Sequence, residues 1–502
     1  MSGTQRSRIE ATAARLSYDR ALALLTALGA VLRLAFIARQ PIGYDEDFTA
    51  VVVHQPIGRM IDIVSRDSAP PLFYLLERGV VVIMDALGLA TLGGLGGPVA
   101  LRIVPALAGI ALIPLVAALA RRVAGDAAAL WAALFTALVP AAVLLSDFAR
   151  MYSLAAAFTV AAGLLLWRAI EKPGPARWIE YLAAAAVAVW SDYFSVLALA
   201  GILAGALWLR PGRRTATVAL SATALALATL APWLVVASAQ FAHAGQGFWV
   251  PPLNPGLLVG TFAQLFVGPP LAGDLPFQSA LIGLQDLAVV AGSAALLGAV
   301  VAWRRLGPEG RRAASFCLLA SSGVAVLAVV SIWRPILDAR YASVMWLPLF
   351  ALAGAGLAAM PRRLAVLVAA SLALPTLALS TTTTHMETSS LVPELDAEVG
   401  AHDLAAAPWD RYLILLDEAG PGVQTRLHVL APGGLPWYVG TAAYPPGALI
   451  HAVPPDVVAN GGRVFWVADP ADAPPPLPAG YHSLESRCVI LACLTIYGPA
   501  GG

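Results

Sequence analysis

The stretch GYDEDFTA places three carboxylates side by side, Asp45, Glu46 and Asp47, directly after an apolar run. A positioned carboxylate can act as a general base that takes the proton of a hydroxyl group. Only 12% of the 502 residues are charged, so such a group of acids is unusual in this chain. The stretch therefore indicates a catalytic loop. The alternatives are a solvated loop and, for Asp47, the N-cap of a helix that begins near Phe48.

Further polar residues stand beside other apolar runs. Asp67 comes shortly before the paired prolines Pro70 and Pro71. The others are Arg102 in LRIVPALAG, Asp147, Arg150 and Tyr152 in SDFARMYSL, Asp192 and Tyr193 in WSDYF, and Arg334, Asp338, Arg340 and Tyr341 in WRPILDARY. Arginine binds phosphate through paired hydrogen bonds. Carboxylates together with arginines therefore suit an anionic ligand and a group that must be deprotonated.

Each of these residues also has a structural interpretation. An arginine at a helix end can extend its charge toward lipid headgroups, which applies to Arg39, Arg59 and Arg334. Asp147 can cap the helix that follows it. Tyrosines near a helix end are typical of the aromatic belt at a membrane surface. Spacing alone does not separate these roles from ligand binding.

The composition shows which elements must hold these residues. The chain is 59% hydrophobic, and its mean hydropathy is +0.76. Uncharged runs of roughly 20 residues match the thickness of a bilayer and predict a polytopic α-helical membrane protein. We place about eleven transmembrane helices by hydropathy, at residues 21–38, 99–120, 127–145, 151–166, 179–190, 195–209, 215–238, 280–303, 313–333, 341–360 and 364–380. The net charge of +1 gives no indication of nucleic-acid binding.

The arginines predict the orientation. Arginine clusters fall before the first span and then on every second loop, which places those loops and the N-terminus in the cytoplasm. The candidate residues then share the external face of the cell (plasma or inner) membrane. Residues 72–89 carry Glu77, Arg78 and Asp85, so we expect an amphipathic helix lying in the outer interface. The first external loop then covers residues 39–98, and long loops often carry function.

Three regions follow from this pattern. Residues 1–380 form the transmembrane domain, residues 381–390 a polar linker, and residues 391–502 an extracytoplasmic α/β domain in which short apolar runs alternate with turn-rich stretches. Cys488 and Cys493 lie in CVILAC, which is typical of a single strand. Along one strand their Cα atoms would be roughly 16 Å apart, so we expect no disulfide between them.

No metal-ligand spacing, glycine-rich phosphate loop or nucleophile elbow occurs in the chain. We therefore expect no cofactor. A divalent metal ion bound by the acids remains an open alternative.

Several pieces of the chain, in order, resemble one known family. They are YDEDFTA, DSAPPLFYLL, LRIVPALAGIALIPLVAALARRVAGDAAALWAAL, ARMYSLAAAF, WSDYF, APWL and ARYASVMWLPLFALAGAGLA. Together they resemble the GT-C type membrane glycosyltransferases, close to the bacterial family 39 enzymes related to protein O-mannosyltransferases and the lipid A aminoarabinose transferase. The resemblance implies transfer of a sugar from a polyprenyl-phosphate donor to an acceptor hydroxyl on the external face, with inversion. The acceptor is a glycolipid, a polysaccharide or a protein.

The resemblance also implies roles for individual residues. The family's catalytic acids correspond to Asp45, Glu46 and Asp67, with Asp45 as the base. The residues expected to bind the donor and its phosphate are Arg150, Arg340, Arg102, Tyr152, Tyr341 and Asp192. The chain departs from the family at Ala69 and Asp192, where relatives often have a basic residue. Mannose, arabinofuranose, glucose and aminosugars all remain possible donors. A transporter or flippase of a lipid-linked substrate, and an inactive membrane scaffold, are the alternative functions.

Overall fold

The computed structural model describes residues 3–40, 44–89, 97–238, 240, 250–268, 278–381, 391–408, 411–412, 415–416, 419–430, 448–468, 472–489 and 492–499. Among the described residues up to Thr381 all regular structure is helical, because in an apolar solvent each backbone N–H and C=O must find its partner within the protein. The C-terminal region contains a mixed sheet. The predicted linker, apart from Thr381, lies outside the described residues.

The helices of the first half of the chain are numbered in order. They are α1 (Gly3–Leu34), α2 (Tyr44–Val53), α3 (Ile57–Val64), α4 (Leu72–Ala86), α5 (Gly97–Leu138), α6 (Pro140–Leu144), α7 (Tyr152–Glu171), α8 (Pro175–Ser191), α9 (Ser195–Trp208), α10 (Arg213–Ala228) and α11 (Ala231–Val236). The remaining helices of the apolar region are α12 (Pro255–Val267), α13 (Gln278–Trp303), α14 (Pro308–Ala320), α15 (Gly323–Val330), α16 (Ala339–Trp346), α17 (Pro348–Ala359) and α18 (Arg362–Thr381).

Within the described ranges, six helices are long and apolar enough to cross a membrane, or seven if the bent pair α16–α17 is one span. That pair is bent by 63°. Helix α8 has 17 residues and α9 has 14, so two predicted spans are shorter than a straight membrane helix. The protein is therefore a multi-pass membrane protein, and the number eleven remains a prediction.

Helix α5 contains two of the predicted spans. Its 42 residues are interrupted at Ala124 and Gly125, where Gly125 has φ 76°. That backbone conformation favours glycine. The break lies between predicted spans two and three, next to Arg121 and Arg122, so the predicted loop is a sharp corner rather than an extended connection.

A second break separates α5 from α7. Val139 is extended and Pro140 begins the short helix α6, which is followed by a single 3-10 turn at Leu145–Asp147. The residue before a proline is disfavoured in helical geometry, so the predicted span of residues 127–145 ends early. We call residues 139–151 the broken segment. Helix α7 begins without a side-chain cap, so the structural interpretation of Asp147 as its cap is wrong.

The C-terminal region is an α/β domain, as predicted. Its strands are β1 (Leu404–Ala407), β2 (Leu427–Leu430), β3 (Leu449–Ile450), β4 (Val464–Ala468), β5 (Tyr481–Val489) and β6 (Ala492–Pro499), and its helices are α19 (Val392–Glu398), α20 (Pro421–Gln424) and α21 (Pro455–Ala459). The strand order is β3-β2-β1-β4-β6-β5. The first four strands in this order pair in parallel, and the last two pairings are antiparallel.

The prediction for the two C-terminal cysteines was wrong. Cys488 and Cys493 form a disulfide, and their Cα atoms are 4.0 Å apart. The run CVILAC is not one strand, because the chain reverses between β5 and β6 and the two cysteines face each other across the hairpin. A spacing of five residues separates two groups along one strand, but the same spacing brings them together when they lie on two paired antiparallel strands.

Candidate active site

The acidic stretch forms the first turn of α2. The helix begins at Tyr44, so Asp45, Glu46 and Asp47 all lie in that turn, where carboxylates stabilise the positive end of the helix dipole. The predicted N-cap role of Asp47 is wrong because the helix starts earlier than Phe48. Consecutive helix residues point about 100° apart. Neighbouring carboxylates of this turn therefore meet different partners.

Asp45 pairs with Arg340. The two groups come from opposite parts of the chain, and Arg340 Nη1 lies 2.6 Å from Asp45 Oδ2. Asp338, the N-cap of α16, accepts hydrogen bonds from the backbone N–H of Arg340 at 2.8 Å and from its Nε at 3.1 Å. The Asp45 side chain is 32% exposed and that of Arg340 is 25% exposed. A solute can therefore reach this ion pair. The hydrogen bonds to Asp338 fix the orientation of the Arg340 guanidinium.

Glu46 pairs with Arg102 in the interior. Arg102 donates from Nε to Glu46 Oε1 at 2.7 Å and from Nη2 to Oε2 at 2.6 Å, and both side chains are buried. Glu46 Oε1 also accepts from the backbone N–H of Ala149 at 2.8 Å. Arg102 Nη1 donates to the carbonyls of Ile37 and Gln40. This ion pair connects α2 and α5 to the residues that follow α1 and to the broken segment.

Asp67, Tyr74 and Arg150 form a buried chain. The Tyr74 hydroxyl donates to Asp67 Oδ2 at 3.2 Å and accepts from Arg150 Nη1 at 3.0 Å. Burial raises the pKa of Asp67 above its ordinary value, and the positive charge of Arg150 opposes that shift. The second predicted acid and the predicted ARMY arginine therefore belong to one hydrogen-bonded unit. Tyr74 is its centre.

Asp192 lies close to the same unit. Its Oδ1 accepts the backbone N–H of Phe194 at 2.6 Å, and within the described residues its Oδ2 has no hydrogen-bond partner. Burial raises the pKa of Asp192 to about 6, although the Phe194 N–H and the charge of Arg150 lower it. Tyr193 points to other neighbours, since its hydroxyl donates to Gln240 and accepts from Trp233.

Aromatic rings connect these groups. Tyr341, next to Arg340, stacks on Phe194 with ring centroids 4.6 Å apart. Tyr152 lies 6.3 Å from Tyr341 and stacks on Phe148 at 6.2 Å. The negative charge of Asp45 acts on Asp67 and Arg150. The predicted site residues thus form one connected cluster, with the Asp45–Arg340 pair at its accessible edge and Glu46, Asp67, Arg102, Arg150, Tyr152 and Asp192 buried.

Arg33 is a buried arginine that is not among the predicted site residues. It lies inside the apolar run of the first predicted span, and its side chain is fully buried. An ionisable residue within a membrane helix indicates a functional position, so the signal was present. Glu77 on α4 is also fully buried, its carboxylate oxygens have no hydrogen-bond partner in the described part of the chain, and burial raises its pKa well above the ordinary value.

Among the described residues, no group of three or more His, Cys, Asp or Glu side chains is arranged to hold a metal ion. The carboxylates of the cluster are instead engaged by arginines, a tyrosine and backbone N–H groups, and we assign none of them as a metal ligand.

One known protein family matches a part of the helical region. A family model for dolichyl-phosphate-mannose-protein mannosyltransferase matches residues 85–236. The resemblance seen in the sequence is thereby confirmed. The matched part contains Arg102, Arg150 and Asp192, whereas Asp45 and Arg340 lie outside it. No curated protein sequence matches the chain.

Solved structures give the same fold. The structure of ArnT from Cupriavidus metallidurans in the apo state has a TM-score of 0.61 and 15% sequence identity, over 95% of this chain and 97% of that chain. The same enzyme bound to undecaprenyl phosphate has a TM-score of 0.56 and 15% identity, over 95% of this chain and 98% of that chain. The likeness therefore includes the C-terminal domain as well as the helices.

Proposed function

We propose that the protein transfers a sugar from a polyprenyl-phosphate donor to an acceptor hydroxyl on the extracytoplasmic face of the cell membrane, with inversion at the anomeric carbon. The observation that carries this proposal is the partly exposed Asp45–Arg340 pair at the edge of a buried polar cluster. It offers a base and a phosphate-binding cation side by side. Such a pair suits a reaction in which a hydroxyl loses a proton while a phosphate leaves.

Asp45 is the general base. A neutral hydroxyl is a weak nucleophile, and a carboxylate that takes its proton during attack lowers the barrier. The acceptor oxygen forms a bond to the anomeric carbon as the bond from that carbon to the phosphate oxygen breaks. The proton passes to Asp45, and the electron pair of the broken bond remains on the lipid phosphate.

Arg340 and Arg150 stabilise the leaving phosphate. Arginine matches phosphate through charge-assisted hydrogen bonds, and its positive charge counters the charge that develops on the leaving oxygen. Arg340 bonds Asp45 through Nη1. A donor phosphate competes with Asp45 for this guanidinium, so donor binding releases the carboxylate for its role as base.

The buried residues position these two groups. Glu46 and Arg102 hold the first turn of α2, from which Asp45 projects. Asp67 and Tyr74 orient Arg150. Tyr152, Tyr341 and Asp192 contact the donor. We thus assign Arg102 and Glu46 to positioning rather than to direct contact with phosphate or acceptor.

Three observations support the lipid donor and the membrane face. The similar enzyme ArnT was solved with undecaprenyl phosphate bound, which is a polyprenyl phosphate. The Cys488–Cys493 disulfide of the C-terminal domain is typical of an oxidising compartment and supports an extracytoplasmic position for that domain. The alternating arginine clusters favour the same orientation.

The proposal is tested by mass spectrometry of the natively purified protein, followed by a transfer assay. We expect a co-purifying polyprenyl-phosphate lipid whose head group names the sugar. The matching radiolabelled donor should then lose its sugar to a membrane or envelope extract in the presence of the wild-type protein. Asp45→Asn is the inactive control. Export of the lipid into vesicles without any sugar transfer would contradict the proposal and favour a transporter.

A further inference from the structure

Arg33 is a buried cation in the middle of the first apolar run. Its side chain has 0% exposure, although the helix α1 that carries it is otherwise apolar in this part. Burying a charge in such surroundings is costly unless several hydrogen bonds satisfy it. The contacts of Arg33 therefore indicate its role.

The guanidinium of Arg33 bonds residues on both sides of the helix break at Val139 and Pro140. Its acceptors are the carbonyls of Gly29 at 3.0 Å, Thr136 at 3.1 Å, Ala142 at 3.3 Å and Ala137 at 3.5 Å, and the hydroxyl oxygen of Ser146 at 3.0 Å. The last carbonyls of a helix lack partners within that helix. Arg33 supplies such partners at the end of α5 and also bonds α6 and the 3-10 turn after it.

Two glycines leave room for this arrangement. A Cβ atom on Gly109 would lie 1.9 Å from Ser146 Oγ and 3.0 Å from Arg33 Nε. A Cβ atom on Gly29 would lie 3.3 Å from Arg33 Nη1. The overlap at Gly109 is too close to leave the hydrogen bond between Arg33 and Ser146 undisturbed, whereas the contact at Gly29 needs only a small shift of the guanidinium. The packing around Arg33 therefore requires a small residue at position 109.

The far end of the broken segment enters the active site. The backbone N–H of Ala149 donates to Glu46, and its carbonyl accepts from Thr49 Oγ1 at 3.0 Å. The next residue is Arg150, which bonds Tyr74. The segment is thus fixed at its start by Arg33 and at its end by α2. Arg150 directly follows the second anchor and precedes α7.

We propose that Arg33 is a positioning residue for the active site, which holds the broken segment so that Arg150 and the Ala149 N–H keep their places. This inference rests on the proposed function, because it makes Arg33 act through the phosphate-binding Arg150. All five acceptors of Arg33 are neutral, and they are distributed around its planar guanidinium group. A lysine ammonium cannot reach them all, so charge alone does not replace the side chain.

The test compares Arg33→Gln, Arg33→Lys and Gly109→Ala with the wild type and with Arg20→Gln, an exposed arginine on the same helix. Each full-length protein is purified, its thermal unfolding is measured, and its binding of undecaprenyl phosphate and its transfer rate are determined. Misplacing a contact by about 1 Å can cost on the order of 10²-fold in rate. We expect losses of that order for Arg33→Gln and Gly109→Ala, a partial recovery for Arg33→Lys and no change for Arg20→Gln.

Hydrogen exchange separates positioning from general stability. In Arg33→Gln and Gly109→Ala, peptides covering residues 139–151 should exchange faster, whereas peptides from α10 and α13 should not change. Gly109→Ala retains the charge and so remains informative if Arg33→Gln does not fold. Wild-type lipid binding and transfer in a folded Gly109→Ala protein with a loosened segment would overturn the inference. Normal lipid binding by Arg150→Ala would remove Arg150 from the phosphate site and with it the route by which Arg33 acts. Absence of sugar transfer by the wild type would instead overturn the proposed function, independently of Arg33.

Discussion

Asp45 and Glu46 are neighbours in the sequence, and each pairs with an arginine, but the two ion pairs differ in their surroundings. The Asp45 and Arg340 side chains are 32% and 25% exposed, whereas those of Glu46 and Arg102 are 4% and 2% exposed. Glu46 and Arg102 also make additional bonds to backbone groups. A carboxylate and an arginine therefore form an exchangeable contact at Asp45 and a fixed structural contact at Glu46.

The difference follows from solvation. An exposed ion pair contributes little net stability, so its partners can exchange for a ligand at small cost. In a buried pair, the loss of one partner leaves an uncompensated charge, which is strongly destabilising. We call Glu46–Arg102 the inner pair and Asp45–Arg340 the outer pair. Substitutions in the inner pair should lower the stability of the fold, whereas substitutions in the outer pair should change ligand binding and turnover.

The largest effect is expected for Arg102→Met. The variant leaves the Glu46 carboxylate buried without its partner and should lose about 3–5 kcal/mol of stability. Thermal unfolding of the purified protein measures this loss. Arg121→Met is the matched control, because Arg121 lies on the same helix in an exposed pair with Asp126. Equal stability of Arg102→Met and the control would show that the inner pair does not stabilise the fold.

Arg340→Ala should act on the donor instead. Loss of a charge-assisted contact with phosphate should weaken binding of undecaprenyl phosphate by about 2 kcal/mol with little change in the unfolding temperature. Arg340→Lys should recover only part of that loss, since one ammonium group does not reproduce the paired hydrogen bonds of a guanidinium. Arg463→Ala, which removes an arginine paired with Asp403 in the C-terminal domain, is the control. Undiminished lipid affinity in Arg340→Ala would remove this residue from the site.

Asp192→Asn offers a smaller effect with a defined pH dependence. Burial raises the pKa of Asp192 from 3.8 to about 6. Ionisation of Asp192 therefore lowers the free energy of unfolding. This loss is absent below pH 3.8, grows between pH 3.8 and pH 6, and is complete above pH 6. Asparagine keeps the acceptor for the Phe194 N–H and avoids that loss. We expect Asp192→Asn to be more stable than the wild type at pH 7.5 by roughly 1–3 kcal/mol, and less active.

The same comparison at pH 4.5 serves as the control, because the wild-type carboxyl is then mostly protonated in the folded protein. The stability difference between the two proteins should shrink as the pH falls. A stability difference independent of pH would show that Asp192 is not held at a raised pKa.

Much of the helical architecture and the membership of the cluster could be predicted from the sequence. Apolar runs of membrane length give helices, and acids or arginines at their ends share one cluster because loops bring those ends together. The division of roles between Asp45 and Glu46 could not be predicted. It depends on which arginine each side chain meets, and Arg102 and Arg340 come from helices far apart in the chain.

The errors have local causes. The cysteines were placed on one strand because CVILAC contains no turn residue, whereas the chain reverses within it. The break at Pro140 was missed because proline is tolerated in membrane helices. Arg33 was interpreted as part of an apolar span, since its partners are four backbone carbonyls and the Ser146 hydroxyl, which no sequence pattern reveals. The predicted number of spans, the linker and the domain boundaries remain predictions.

The central claim is that Asp45 is the base and that Glu46 beside it is structural. The most direct measurement is the transfer rate of Asp45→Asn with the co-purified donor, alongside its affinity for undecaprenyl phosphate. Asparagine retains size and hydrogen bonding but not basicity, so the rate should fall by roughly 10²–10⁴. Lipid affinity should stay the same or increase, because Asp45 no longer competes for Arg340. Wild-type turnover by Asp45→Asn would contradict the account.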